Sequence, residues 1–275
     1  MRTLTADLRR LGVTPGGVLL MHSAFAGLGF VPGGPQAAVQ AVLDALGPDG
    51  TLVVPTHTPD NSDPAFWSRP PVPAEWWEAI RREAPGFHPD RTPAGKWMGV
   101  LAETVRSWPG ARRSGHPQVS FAAVGPRAAE VTGTHRLDDP LGDDSPLGAV
   151  YRLDGQVLLL GVGHGNNTSL HLAECRQPDP PTHRVGAVLY RGDRPGEWVT
   201  WTEVQSDASD FDRLGEAFEA TGAARIGAVG EATGRLMAQR AVVDFGTAWI
   251  AAHRRRLPDR RRSALPSQSD LPDGH

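Results

Sequence analysis

The chain carries one cysteine, Cys175. A single thiol forms no intramolecular disulfide and builds no cysteine-based zinc cage. No uninterrupted apolar run reaches the roughly 18 residues that a membrane-spanning helix needs. Neither sign of charge dominates: 28 Lys and Arg stand against 31 Asp and Glu, a formal net charge of −3. That balance offers no broad basic face for nucleic acid and leaves room for a local acidic pocket. The stretch MRTLTADLRRLGV spaces Leu4, Leu8 and Leu11 as an amphipathic helix and lacks the continuous apolar core of a secretory signal. The expectation is a soluble cytoplasmic protein without membrane or nucleic-acid partners.

Several catalytic signatures are missing too. There is no G-x-S-x-G nucleophile elbow, so a serine hydrolase is disfavoured. There is no H-E-x-x-H pair, and no Gly-Lys-Ser/Thr follows a glycine-rich turn. The run GVGHGN at 161–166 starts like a dinucleotide fingerprint, but Asn166 stands where the last glycine belongs.

What is present fits a globular α/β chain. Apolar residues make up 39% and charged ones 21% of 275 residues, ample for a real core. GGVLLMHSAF (16–25) and GTLVVPT (50–56) read as buried strands. Between them GGPQAAVQAVLDALG (33–47) reads as a helix, with Pro35 in its first turn and Gly47 just past its end. Strand–helix–strand at this spacing predicts a parallel βαβ unit. Residues 57–96, rich in Pro, Trp and charge, predict a long irregular excursion with a short helix, of the kind that lies over a cleft. A helix over 98–110, a strand over 119–125 and a short helix over 126–135 follow. GQVLLLGV (155–162) is the strongest strand signal, 185–204 reads as a hairpin, and 226–253 carries a final long helix. The Arg- and Pro-rich stretch 254–275 predicts a disordered tail beyond a single domain at 1–253.

Four stretches carry chemistry. GVGHGNNTSLHLAE (161–174) ends a strand in a turn, where Asn167 or Thr168 can cap a short helix. His171 and Glu174, three apart, share a face of that helix. The carboxylate can orient the imidazole for proton transfer, and a surface ion pair would show the same spacing. RRSGHPQVSFAAVG (112–125) joins two arginines to a turn and a buried strand; it suits an anion or is a solvated loop. LLMHSAFAGLGFVPGG (19–34) leads a strand through small residues to a helix start, a layout suited to a phosphate or a thioester carbonyl and equally to an ordinary βα turn. Two acidic groups, LDDPLGDDSP (137–146) and SDASDFDRLGEAFEA (206–220), can receive a polycation or form solvated faces.

In order along the chain, MHSAFAGLG, GTLVVPTHT, RRSGHPQVSFAAVG, DDSPLGAV, GVGHGNNTSLHLAE, SDFDRLGEAFE and VGEATGRLMAQRAVVDF resemble the aminoglycoside 3-N-acetyltransferase family over roughly residues 5–250. HPQVSFAAVG and NNTSLHLAE are the most distinctive. At Ala24 the family more often shows a second serine. The resemblance implies a single α/β domain with a central mixed β-sheet flanked by helices, distinct from the more widespread N-acetyltransferase fold. It implies acetyl-CoA as cosubstrate, no metal, and a small-molecule aminoglycoside or another amine as acceptor, in a monomer or homodimer. It makes His171 the general base, Glu174 its supporting carboxylate and Thr168 an oxyanion donor. Ser23, Ala24, Phe25, Arg113, Ser114, His116 and Ser120 are then candidates to hold coenzyme A, and Asp210, Glu219 and Asn167 to hold the acceptor. Other readings remain: the same transfer to an amine of secondary metabolism, a metal-dependent hydrolase using His164, His171 and His183, or a non-catalytic coenzyme A binder.

Overall fold

The computed structural model describes residues 2–68, 70–192 and 196–254. The expected tail therefore lies outside the described residues except for Arg254.

In chain order the elements are α1 (Arg2–Leu11), β1 (Val18–Ser23), α2 (Gly34–Leu46), β2 (Thr51–Pro55), α3 (Trp77–Glu83), α4 (Gly99–Arg106), β3 (Arg112–Arg113), β4 (Phe121–Val124), α5 (Ala128–Gly133), α6 (Pro146–Arg152) and β5 (Gln156–Leu160). They continue with α7 (Ser169–Cys175), β6 (Thr182–Leu189), β7 (Glu197–Val204), α8 (Phe211–Glu219), β8 (Arg225–Val229), β9 (Ala232–Ala238) and α9 (Gln239–His253).

The main sheet runs β3-β4-β2-β1-β5-β9-β8. Its centre is parallel: β1 pairs with β2 at Leu20↔Val53 and with β5 from Leu19↔Gln156 to Ser23↔Leu160. Both flanks are antiparallel, β4 on β2 and β9 on β5. This is the mixed sheet that the resemblance implies. The parallel strands are near-continuous apolar runs because helices cover both faces. Alternate residues divide between those faces. Leu19, Met21, Leu158 and Leu160 join the core under α1, α2 and α4, whereas Leu20, Val157 and Leu159 join Leu147, Leu170, Leu214 and Val242 of α6 to α9.

The hairpin expected at 185–204 forms as β6 and β7, in a separate two-stranded sheet. The segment 57–96 folds against it, with Phe87 bridging Leu189 and Asn61 bonded through its side chain to Val188. The final helix is shorter than the region 226–253 suggests. Its first half is instead the β8–β9 hairpin, turned at Gly230, whose φ is 58°.

Gly215 of α8 has a packing role that helix propensity alone would not assign. A Cβ there would stand 2.0 Å from the His164 ring. Alanine normally stabilises a helix interior by about 1 kcal/mol over glycine. Overpacking costs about 1–3 kcal/mol, and here it would push α8 off the loop after β5. Gly215→Ala is expected to lower the thermal unfolding midpoint; a raised midpoint would show that the contact does not matter.

Candidate active site

Three connections leave the carboxyl ends of the parallel strands: 24–29 after β1, 56–58 after β2 and 161–168 after β5. Ligands of open α/β sheets bind at this edge. Here the edge holds a cleft of about 220 Å³ lined by Met21, His22, Ser23, His57, Trp97, Met98, Gly165, Asn166, Thr168 and His171, among others. A wider hollow of about 1280 Å³ at the opposite edge, by Arg9, Asp44 and Gly125, contains no histidine.

His171 sits on the first turn of α7. Its Nδ1 donates to Glu174 Oε2 at 2.6 Å, which leaves Nε2 as the free acceptor. Phe211 packs beside the ring at a centroid distance of 4.8 Å. Glu174 is buried. It also accepts from the Asp207 backbone N–H at 3.1 Å and from the Arg254 guanidinium. The His171–Glu174 spacing is therefore a buried, multiply bonded pair at the cleft rather than a surface ion pair.

The turn before α7 divides its work between two neighbours. Gly161 ends β5 with φ 71°, a left-handed conformation that favours glycine. Asn167 is buried, and its Oδ1 accepts from the Ser169 N–H at 3.2 Å. Asn167 thus supplies the capping bond and faces the sheet. Thr168 is left free to point its hydroxyl at the cleft, where it meets His22 Nε2 at 3.2 Å.

His22 and His57 face the same cleft. Burial, and then the neighbouring His171, push His22 down to about 3. Burial, and then His22 and His171, push His57 down to about 3 as well. Both rings are neutral near pH 7. His57 Nε2 is buried and has no hydrogen-bond partner among the described residues. Both histidines lie in motifs quoted above, but nothing in the local spacing singles them out.

Of the residues expected to hold coenzyme A, Ser23 lines the cleft, with Ala24 and Phe25 following it into the β1 turn. Arg113, Ser114, His116 and Ser120 lie elsewhere. The Arg113 guanidinium donates to the Thr56 carbonyl at 2.7 Å, to Ser120 Oγ at 3.0 Å, to the Pro89 carbonyl at 3.2 Å and to the Thr92 carbonyl. It thereby fastens the 57–96 excursion to β2, and burial lowers it to about 10. Ser114 Oγ bonds the Phe121 N–H and His135, and His116 Nδ1 accepts from the Gln118 and Val119 N–H groups. These four side chains are occupied inside the protein, and none lines the cleft.

Asp210 and Glu219 are occupied as well. Asp210 bonds Arg254 at 2.5 and 3.0 Å, and Glu219 bonds His164 at 3.0 Å and Arg235 at 2.8 Å. Asp207 and Asp212, which the sequence reading did not single out, flank the start of α8 with exposed side chains. Asp212 accepts from the Gly165 N–H at 2.7 Å, on the cleft wall. His164, His171 and His183 pair with three different carboxylates, Glu219, Glu174 and Glu203. Among the described residues no group of three or more His, Cys, Asp or Glu converges to hold a metal, and no helix is long and apolar enough to cross a membrane.

His171 thus has one nitrogen anchored on a buried carboxylate and the other open to a cleft at the carboxyl edge of the parallel strands, an arrangement able to take up and return a proton. A model of the aminoglycoside 3-N-acetyltransferase family matches residues 20–251, and the chain belongs to that family. It is 38% identical over 250 residues to the SPbeta prophage-derived aminoglycoside N(3')-acetyltransferase-like protein YokD of Bacillus subtilis (strain 168), covering 90% of this chain and 91% of that protein. It is 37% identical over 270 residues to aminoglycoside N(3)-acetyltransferase IX of Micromonospora chalcea, covering 91% and 92%. The crystal structure of YokD superposes with a TM-score of 0.86 at 37% identity, over 90% of this chain and 97% of that one. AAC-IIIb in binary complex with CoASH gives 0.80 at 30% identity, over 91% and 96%. AAC-VIa bound to sisomicin gives 0.80 at 29%, over 90% and 96%. The enzyme is thus an acetyltransferase of the aminoglycoside N(3) type, with acetyl-CoA as cosubstrate.

The buried histidines make stability depend on pH. His22 and His57 lie at about 3 and His116 at about 4, and burial holds His135 well below 6.5. Above about pH 6.5 these rings are neutral in both folded and unfolded chains. Below it the unfolded chain binds protons that the native state refuses, so stability falls as the pH drops from 6.5 towards 4. The denaturation midpoint is expected to decline over that window, with a shallower slope in His116→Gln. A flat profile, or an unchanged slope in the variant, would contradict this account.

Proposed function

We propose that His171 is the general base for acetyl transfer from acetyl-CoA to the 3-amino group of a deoxystreptamine aminoglycoside. The observation that carries this reading is the 2.6 Å bond from His171 Nδ1 to buried Glu174, which turns Nε2 into the cleft. An amine like a lysine side chain, with pKa ~10.4, is mostly protonated near neutral pH and needs a base to become a nucleophile. Nε2 takes that proton, and Glu174 stabilises the imidazolium that results. Acetyl-CoA supplies an activated thioester carbonyl. The Thr168 hydroxyl, at the cleft, donates to the oxygen of that carbonyl as it gains charge. When His22 Nε2–H donates to Thr168 Oγ1, the threonine proton is free for this purpose. The Ser23–Phe25 turn is the proposed seat of the thioester arm.

For the acceptor, an ammonium-rich molecule needs carboxylates that are not already neutralised. Asp210 and Glu219 have arginine partners, so their role is to shape the wall, and Asn167 acts through the turn it caps. Asp212, exposed and bonded to the Gly165 N–H of the cleft lining, and Asp207, exposed on the loop whose backbone N–H meets Glu174, take the acceptor's charges. Each charge-assisted hydrogen bond is worth about 1.5–3 kcal/mol when well formed.

His171→Ala should lower kcat by about 10²-fold or more while acetyl-CoA still binds, as loss of a general base does. Near wild-type turnover in that variant would remove the assignment. Asp212→Asn should raise KM for an aminoglycoside about ten-fold with little change in kcat, since ~1.4 kcal/mol is a factor of ten. Asp210→Asn measured in parallel decides between the two placements. An effect on KM confined to Asp210→Asn would restore Asp210 as the acceptor contact.

A further inference from the structure

The site as described explains how His171 is oriented but leaves the end of α9 without a role. Arg254 is the first residue of the arginine-rich stretch, 83 positions from His171, and its side chain reaches the housing of that histidine. Its guanidinium bonds Glu174 Oε1, both oxygens of Asp210 at 2.5 and 3.0 Å, and the Asp207 carbonyl at 2.7 Å. It also lies 5.7 Å from the centroid of the Phe211 ring, whose own centroid is 4.8 Å from that of the His171 imidazole. One cation therefore touches the carboxylate behind the base, the aromatic ring beside it, and the loop that carries Asp207.

We propose that Arg254 is a positioning residue for His171: it fixes Glu174 and Phe211 around the imidazole and sets the pH at which the base becomes free. The inference rests on His171 being the base. The charged and titratable groups around His171 are Glu174 on its own helix, Asp207 and Asp210 before α8, Arg254 after α9, His22 on β1 and His57 after β2. His22 and His57 are neutral over the working range, so their charge does not change there. Glu174 and Asp210 are anions, and Arg254 is the one cation among these groups. Its positive charge opposes the protonated imidazole, and its bonds divert part of the Glu174 charge away from the ring. Glu174 keeps the Asp207 N–H and His171 as partners when the guanidinium is removed. It then acts on the imidazole without a competitor and favours the protonated, unproductive form.

The test is the pH dependence of kcat/KM in Arg254→Ala and Arg254→Lys, with His171→Ala beside them. In Arg254→Ala the acidic limb should move to higher pH by about half a unit or more, as loss of a nearby charge produces. kcat below neutral pH should fall more than KM for acetyl-CoA changes. Arg254→Lys restores a point charge without the fork geometry and should bring the limb part of the way back. An acidic limb that stays in place overturns the proposal, even if less folded enzyme is recovered, because a merely structural role lowers rates at all pH values alike. A limb that moves to lower pH overturns it too. An active His171→Ala variant removes the base reading and this inference with it. An inactive His171→Ala with an unmoved limb in Arg254→Ala removes this inference alone.

Discussion

Glu174 is a buried carboxylate with both oxygens occupied, and the cleft is arranged around it. One oxygen accepts from His171, and the other from the Asp207 backbone and Arg254. A buried carboxylate without such partners would cost several kcal/mol and would protonate instead. With them its oxygens are fully bonded, and His171 is the one cleft histidine hydrogen-bonded to a carboxylate. His22 and His57 have no such support and remain neutral, at about 3. Of the three imidazoles in the cleft, one is backed by a carboxylate and two are held neutral by burial.

The sheet determines where this pair can stand. Parallel strands need crossovers, so β1, β2 and β5 all present their carboxyl ends at one edge. His22, His57 and His171 come from three separate parts of the chain and meet only because those strands are neighbours. The antiparallel flanks play a different part. β3 and the approach to β4 carry the Arg113–Ser120 cluster that fastens the 57–96 excursion. β9 leads straight into α9, which delivers Arg254 to Glu174.

Sequence alone revealed the parallel β1–β2 pair, because two apolar runs separated by a helix admit few other readings, but not that β5 extends it on the other side of β1. It also put His171 and Glu174 on one helical face, where they do pair, but their spacing did not separate a buried pair from a surface one. It missed the β8–β9 hairpin, although the two-residue link Gly230–Glu231 between Val229 and Ala232 is a readable turn signal. No helix breaker separates β9 from α9, so the region resembled one long helix. The segment from Arg113 to Ser120 resembled an anion site because sequence shows its charge but not its burial. Asp210 and Glu219 resembled acceptor contacts for a related reason: a carboxylate's partner is invisible when it lies far along the chain, as Arg254 does from Asp210. The same distance hid His22, His57 and Arg254, whose meaning depends on contacts that no local pattern encodes.

The account is tested most directly by following release of the coenzyme A thiol from acetyl-CoA with a panel of deoxystreptamine aminoglycosides and simple monoamines, and locating the acetyl group on the product by NMR. The prediction is thiol release with at least one aminoglycoside, far above any monoamine, and a product acetylated on the 3-amino group. Release with monoamines at equal or greater efficiency, acetylation at another position, or no release with any acceptor would contradict it.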